Sequence, residues 1–294
     1  MRAPLAVLAA LLILPNAALA RGVRDDAGDL VEISDAPCRI VSLAPGTTAM
    51  LFAAGAGQCV IGTIAHSDEP AEAAAVPVVG DAETLDFEQL LALRPSVVVV
   101  AVDVVQRVRI DRIRALGIPV YRVHVTSLAQ MPDSLRRLGV LAHTEVAARQ
   151  HAARFSADLD VIRAKYRDRA PVKVLYQIWD KPIYTIGGEH VISDALAVCG
   201  ARNIFSDLTT AAPAVTREAA IVRDPDLIVI SAPPAEANEW LAEWRKFPSV
   251  RAVREGRLES YLDERMDRMG PSVVQATASL CELVDRARTP RDVR

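Results

Sequence analysis

The sequence predicts an α/β protein of two lobes, each with a mainly parallel central sheet, joined by one long rigid α-helix. Three observations carry this. Short β-rich runs alternate with amphipathic segments, the order that builds parallel sheets. The two halves share a pattern: Leu85-Asp86-Phe87-Glu88-Gln89-Leu90-Leu91-Ala92-Leu93-Arg94-Pro95 precedes one apolar run, and Val215-Thr216-Arg217-Glu218-Ala219-Ala220-Ile221-Val222-Arg223-Asp224-Pro225 precedes another. Between the halves lies a helical stripe that no Gly or Pro interrupts.

The elements follow in chain order. Arg2 opens an apolar run over residues 5–14, and Ala18-Leu19-Ala20 puts small residues where a signal peptidase reads them. The run is too short for the ~20 helical residues that span a bilayer, so residues 1–20 are expected to be a cleaved signal peptide. No cysteine follows it for a lipid anchor, and the released chain is expected to be soluble. The first lobe is read as residues 36–142, with strands at 39–43, 60–63, 97–101 and 120–125. Val97-Val98-Val99-Val100 is continuously apolar, as in a strand covered on both faces. The linking helix is read as 144–169. Thr144 suits an N-cap, and Ala148, Ala152, Phe155, Leu159, Ile162 and Tyr166 form one apolar stripe. It would be roughly 40 Å long, a stiff strut that allows modest closure of a cleft. The second lobe is read as 172–288, with strands at 173–177, 227–231 and 258–262. Gly55 and Gly200 sit where left-handed helix stops are expected, and each repeated Pro stops a helix and opens a strand.

A net charge of −3 without a basic stripe argues against nucleic acid as a partner. No GxSxG elbow, Walker loop, HExxH or GxGxxG occurs, so no enzymatic site is expected. The four cysteines, Cys38, Cys59, Cys199 and Cys281, form no CxxC pair, and no His lies near them at zinc-ligand spacing. In an exported chain two disulfides are the simplest reading, with three pairings open. His66 follows a strand, but His124, His143, His151 and His190 do not converge with it on cleft loops, so no metal site is expected.

Several stretches together resemble the binding proteins of ABC importers whose lobes are joined by one helix, and within that class the periplasmic cobalamin-binding proteins. They are Arg39-Ile40-Val41-Ser42-Leu43-Ala44-Pro45, Ser67-Asp68-Glu69-Pro70, the Leu85–Pro95 stretch, Cys199-Gly200-Ala201-Arg202-Asn203-Ile204-Phe205 and Val215-Thr216-Arg217-Glu218. The sequence departs from that class in lacking aromatic residues at Glu69, Ala82, Val102-Asp103 and Ala211-Ala212-Pro213. The resemblance implies a periplasmic monomer that captures a corrinoid as cargo, without a resident cofactor, and delivers it to a permease dimer in the inner membrane. Haem or a ferric siderophore is the alternative cargo; a bare metal-ion receptor or an α/β enzyme ranks below both. It implies that Glu88 and Glu218 meet permease arginines, one per lobe, and that Cys199 pairs with Cys281; Cys38 and Cys59 precede two strands expected to be neighbours in the first lobe, where a second bridge is open to them.

Ligands of parallel α/β lobes gather at the carboxyl ends of strands. The residues expected to bind there are Pro45, Thr47, Ser67, Asp68 and Asp81 in the first lobe, and Trp179, Asp263 and Arg265 in the second. Pro45-Gly46-Thr47-Thr48 opens a helix and can offer amides and hydroxyls, although plain N-capping by Thr47 or Thr48 explains the motif equally. Trp179 could cover a flat ring system, against a role in packing its own loop. Asp263 could accept from an amide, and Arg265, with Arg268, suits a carboxylate.

Overall fold

The computed structural model describes residues 22–33, 38–102 and 104–289; the expected signal peptide lies outside them. In chain order the strands are β1 (Gly22–Arg24), β2 (Leu30–Glu32), β3 (Ile40–Ser42), β4 (Val60–Gly62), β5 (Val97–Ala101), β6 (Val120–Val123), β7 (Val172–Trp179), β8 (Ile183–Thr185), β9 (Ala201–Asn203), β10 (Ala214–Val215), β11 (Leu227–Ile230) and β12 (Leu258–Ser260). The helices are α1 (Pro45–Ala53), α2 (Phe87–Ala92), α3 (Arg107–Ala115), α4 (Met131–Leu141), α5 (Glu145–Tyr166), α6 (Val191–Val198), α7 (Arg217–Arg223), α8 (Pro234–Trp244), α9 (Arg251–Arg254), α10 (Glu264–Arg268) and α11 (Val273–Arg286).

The first sheet is parallel, in the order β4-β3-β5-β6. In the second, β9, β7, β11 and β12 make the same parallel order, and β8 and β10 extend it antiparallel beside β7. The repeat reaches single hydrogen bonds. Ser96 N donates to the Arg39 carbonyl and Asp226 N to the Lys173 carbonyl, both at 2.8 Å. The side chains of Ser96 and Asp226 accept in return from the amides of Arg39 (3.1 Å) and Lys173 (2.8 Å). Arg94 and Asp224, each just before the repeated Pro, are both left-handed, with φ 46° and 43°. Asp86 caps α2 by accepting from Gln89 N, as Thr216 caps α7 by accepting from Ala219 N.

Alternation explains the apolar runs. Val97 and Val99 face a core shared with α5, whereas Val98 and Val100 face a second core under α3. Leu227 and Val229 face the shared core, and Ile228 and Ile230 one under α8. Each sheet is covered on both sides, so its strands are apolar throughout.

The linking helix buries Ala148, Ala152, Phe155, Leu159, Ile162 and Tyr166, the stripe read from the sequence. Its 22 residues span about 33 Å, shorter than expected because α5 stops at Tyr166. Thr144 stands at the N-cap but its hydroxyl makes no cap bond; it donates to the Ala54 carbonyl at 2.7 Å, closing the end of α1. Disulfides join Cys38 to Cys59 and Cys199 to Cys281, the second tying α11 to the end of α6.

The β1–β2 hairpin, ahead of residue 36, is tied to β6 and α4. Buried Asp26 accepts from Arg137 (2.6 Å) and Ser134 (2.7 Å), and Asp25 from Arg122 (2.7 Å). The hairpin, β8, β9 and β10 went unread because two or three residues carry no periodicity of their own.

Candidate functional site in the interlobe cleft

In each lobe the sheet order reverses between the first and third parallel strands, β3 and β5 or β7 and β11, and the loops after such strands form a crevice. The loops after β3, β5 and β11 line the cleft. A cavity of about 260 Å³ is lined by Ala44, Pro45, Gly46, Thr47 and Met50 from α1 and its approach, by Ala101 and Val104 after β5, and by Asp267, Arg268 and Met269 of the second lobe. A second cavity of about 320 Å³ shares Asp267 and Met269 and continues along Ile178, Ile186, His190, Ser231 and Met266. The lobes meet where α1 begins. A Cβ added at Gly46 would stand 2.0 Å from the Arg268 carbonyl oxygen, so only glycine permits that approach.

The sequence-predicted residues fall into three groups. Pro45 and Thr47 line the first cavity. Ala44, not Thr47 or Thr48, is the N-cap of α1. Thr47 Oγ1 instead donates to the Ala44 carbonyl (2.9 Å) and lies 2.7 Å from Ser42 Oγ, which also accepts from Thr48 (2.9 Å). The Thr47 hydroxyl is thereby committed to its own loop. Ser67 is buried, and its Oγ has no hydrogen-bond partner among the described residues.

A second group pairs charges. Asp68 accepts from Arg268 Nη1 at 2.5 Å, a bond between lobes, while Arg268 Nη2 also reaches Glu264 at 2.7 Å. Asp263 caps α10 through Arg265 N (3.1 Å) and takes both Nε (2.9 Å) and Nη2 (2.7 Å) of the Arg265 guanidinium. That side-chain pairing holds the Asp263 carboxyl below the usual carboxylate range. Asp267, one turn on and still exposed to solvent, is driven the other way: partial desolvation, then the charges of Asp263 and Glu264, raise it.

The third group stands apart from the cavities. Asp81 Oδ1 accepts from the amides of Thr84 (2.6 Å) and Glu83 (2.8 Å) and from the Thr84 hydroxyl (3.0 Å), bonds that lower its pKa and shape its own exposed turn. Trp179 is 54% exposed and packs edge-on against Trp240 of α8, with 6.2 Å between centroids. It lines a separate open pocket with Asp180, Lys181 and the acidic face of α8.

Cleft residues that sequence reasoning missed are Met50 and His190, whereas Ile178, Met266, Asp267 and Met269 lie on strand-end loops expected at the cleft without being singled out. Met50 lies three residues beyond Thr47 on one helix face, a spacing that could have found it. His190 lines the second-lobe cavity, and its Nδ1 accepts from Ile192 N at 3.1 Å to cap α6. The short strand β8, unread in the sequence, delivers it there.

The sequence matches the periplasmic binding protein family over residues 40–263. The chain belongs to the periplasmic binding protein family. As a periplasmic binding protein it is a carrier of the periplasm rather than an enzyme, and the small ligand it takes is cargo, not a resident cofactor. It is 27% identical over 252 residues to a vitamin B12-binding protein of Yersinia pestis, covering 86% of this chain and 88% of that one. The crystal structure of a periplasmic vitamin B12-binding protein of Vibrio cholerae superposes with a TM-score of 0.77 at 26% identity, covering 85% of this chain and 98% of that one. A periplasmic haem-binding protein of Roseiflexus sp. RS-1 shares the fold, with a TM-score of 0.70 at 22% identity over 86% of this chain and 99% of that one. The family's two-lobed periplasmic binding protein architecture thus surrounds an apolar cleft with a charged rim. No helix among the described residues is long and apolar enough to cross a membrane.

Proposed function

We propose that this periplasmic binding protein captures a corrinoid of the cobalamin kind in the interlobe cleft and delivers it, as a monomer, to the permease dimer of an ABC importer. The lobes are residues 36–142 and 172–288, the strut 144–169. One observation carries the reading: similarity to proteins named for vitamin B12 binding runs nearly end to end, across both walls of the cleft. The chemistry agrees. Met269 and the branched aliphatics Ile178 and Val104 suit the apolar face of a macrocycle, and the Asp263–Arg265 pair offers an acceptor and donors to amide side chains.

The ligand contacts are Pro45, Thr47, Ser67, Asp68, Asp81, Trp179, Asp263 and Arg265. The unpartnered Ser67 hydroxyl supports a polar contact, because a buried hydroxyl without a bond is costly. Both cavities lie at or below the low end of ligand-site volumes. A corrinoid therefore enters by parting the lobes, and the Asp68–Arg268 bond at the rim is the contact it breaks. Trp179, outside the cavities, covers the part of the ligand that extends beyond them.

The guanidinium groups of Arg265 and Arg268 favour a second reading, haem or a ferric siderophore, whose carboxylates they would meet. Isothermal titration of the mature protein with cyanocobalamin, haemin and a ferric siderophore decides between them. Micromolar or tighter binding of cyanocobalamin is expected; heat with haemin or the siderophore alone would replace the corrinoid reading with the second.

A further inference from the structure

The C-terminal end of β7 is irregular where it meets the cleft. Its pairing with β8 sets Gln177 opposite Thr185 and then Trp179 opposite Tyr184, two residues against one, so Ile178 is the extra residue of a bulge. Bulges re-aim side chains next to binding sites, and Ile178 lines the second-lobe cavity. Its neighbour Gln177 is fully buried and serves two groups: Oε1 accepts from Trp244 Nε1 at 2.8 Å, and Nε2 donates to Asp180 Oδ1 at 3.3 Å. The same Asp180 oxygen accepts from Arg217 Nη2 at 3.0 Å. The Arg217 guanidinium lies over the Trp244 ring, 4.7 Å from its centroid. Arg217 is the first residue of α7, and Glu218 is the second.

We infer that Arg217 is a positioning residue that couples the ligand-facing end of β7 to the helix carrying Glu218. The inference rests on the docking reading of Glu218. Every link from Gln177 to Arg217 is buried or nearly so, where charge-assisted bonds transmit small shifts best. The pair also has a second arrangement to move into. Arg217 Nη1 is buried without a hydrogen-bond partner among the described residues, and Asp180 Oδ2 lies 3.8 Å from the exposed Lys181 Nζ. A ligand that presses on Ile178 displaces Asp180 along the strand, and the single bond becomes the bidentate one that Arg and carboxylate prefer. The start of α7 turns with it, and the Glu218 carboxylate is re-aimed at the permease.

The test is the affinity of the mature protein for its importer in nanodiscs, measured with and without saturating cyanocobalamin. The wild-type ratio of the two affinities is expected to differ from one by about fivefold or more. Arg217→Lys keeps the charge but cannot form the fork; it should bring the ratio near one while calorimetry shows unchanged cyanocobalamin affinity. Arg223→Lys, at the far end of α7 where Arg223 pairs with Asp207, should keep the wild-type ratio. A wild-type ratio of one, a ratio that survives Arg217→Lys, or its equal loss in Arg223→Lys overturns the coupling. Normal docking of Glu218→Ala would instead remove the docking reading and this inference with it. Should wild type bind haemin and not cyanocobalamin, the ligand reading fails alone and the same ratio with haemin decides the coupling.

Discussion

Asp263 and Asp267 lie on adjacent turns of the chain and carry opposite electrostatic assignments. The Arg265 fork lowers the first, and desolvation with two neighbouring carboxylates raises the second. A carboxyl whose folded pKa is raised keeps its proton to higher pH in the folded state than in the unfolded one. Its contribution to stability is complete below the ordinary carboxylate range and is lost as pH rises through the raised value. Asp267→Asn is therefore expected to raise the melting temperature near neutral pH, with the gain disappearing below about pH 4; an equal gain at both pH values would contradict the assignment. Trp179 gives a second test at this scale. Trp179→Ala should weaken cyanocobalamin binding by about 1–3 kcal/mol in calorimetry, whereas unchanged affinity would leave the ring with the single task of bracing Trp240. The residue types Asp263 and Arg265 were readable as polar groups after a strand. That they pair with each other was not, because one turn can also present both side chains outward.

The longer elements were readable, since they show a period. The stripe of α5 and the valine run of β5 are satisfied by the cores they face, and Gly55 and Gly200 take the left-handed conformation after α1 and α6. The disulfides tie elements that packing already brings together, and their loops differ in length. In the chain-entropy account, the 82-residue separation of Cys199 and Cys281 contributes about 4.5 kcal/mol, against about 3 kcal/mol for the 21-residue separation of Cys38 and Cys59. Replacing each pair by serine and measuring urea unfolding should give losses in that order. A larger loss from the Cys38–Cys59 pair would show that strain or residual structure, not loop length, sets the difference.

At the scale of the molecule the repeat sets one matched carboxylate on each lobe. Glu88 and Glu218 are both exposed, and each is the second residue of a helix whose cap is matched in the other lobe. The helix dipole favours a carboxylate there, which accounts for each singly. We propose that these two charges, one on each lobe joined by α5, dock the protein on a symmetric permease. Glu88→Ala and Glu218→Ala are each expected to leave cyanocobalamin affinity unchanged while weakening docking by roughly 1–2 kcal/mol, about 5–30-fold. The double change should be worse, and reversal to Arg worse than Ala because like charges would face each other. Normal uptake by the double mutant at limiting ligand would return both glutamates to a local role at helix starts.

By itself the sequence determined the α/β class, the two repeated halves and the linking stripe, because periodicity, glycine stops and strand-opening prolines act over a few residues. Only the tertiary structure decided which groups meet across the cleft. Asp68 and Arg268 lie 200 residues apart, Asp26 is buried by Arg137 from a helix far along the chain, and His190 reaches the cavity on a loop after a three-residue strand. Such contacts depend on how two separately patterned lobes are set against one helix. That placement is fixed by the packing of whole faces and by one close approach at Gly46, neither of which leaves a period in the sequence.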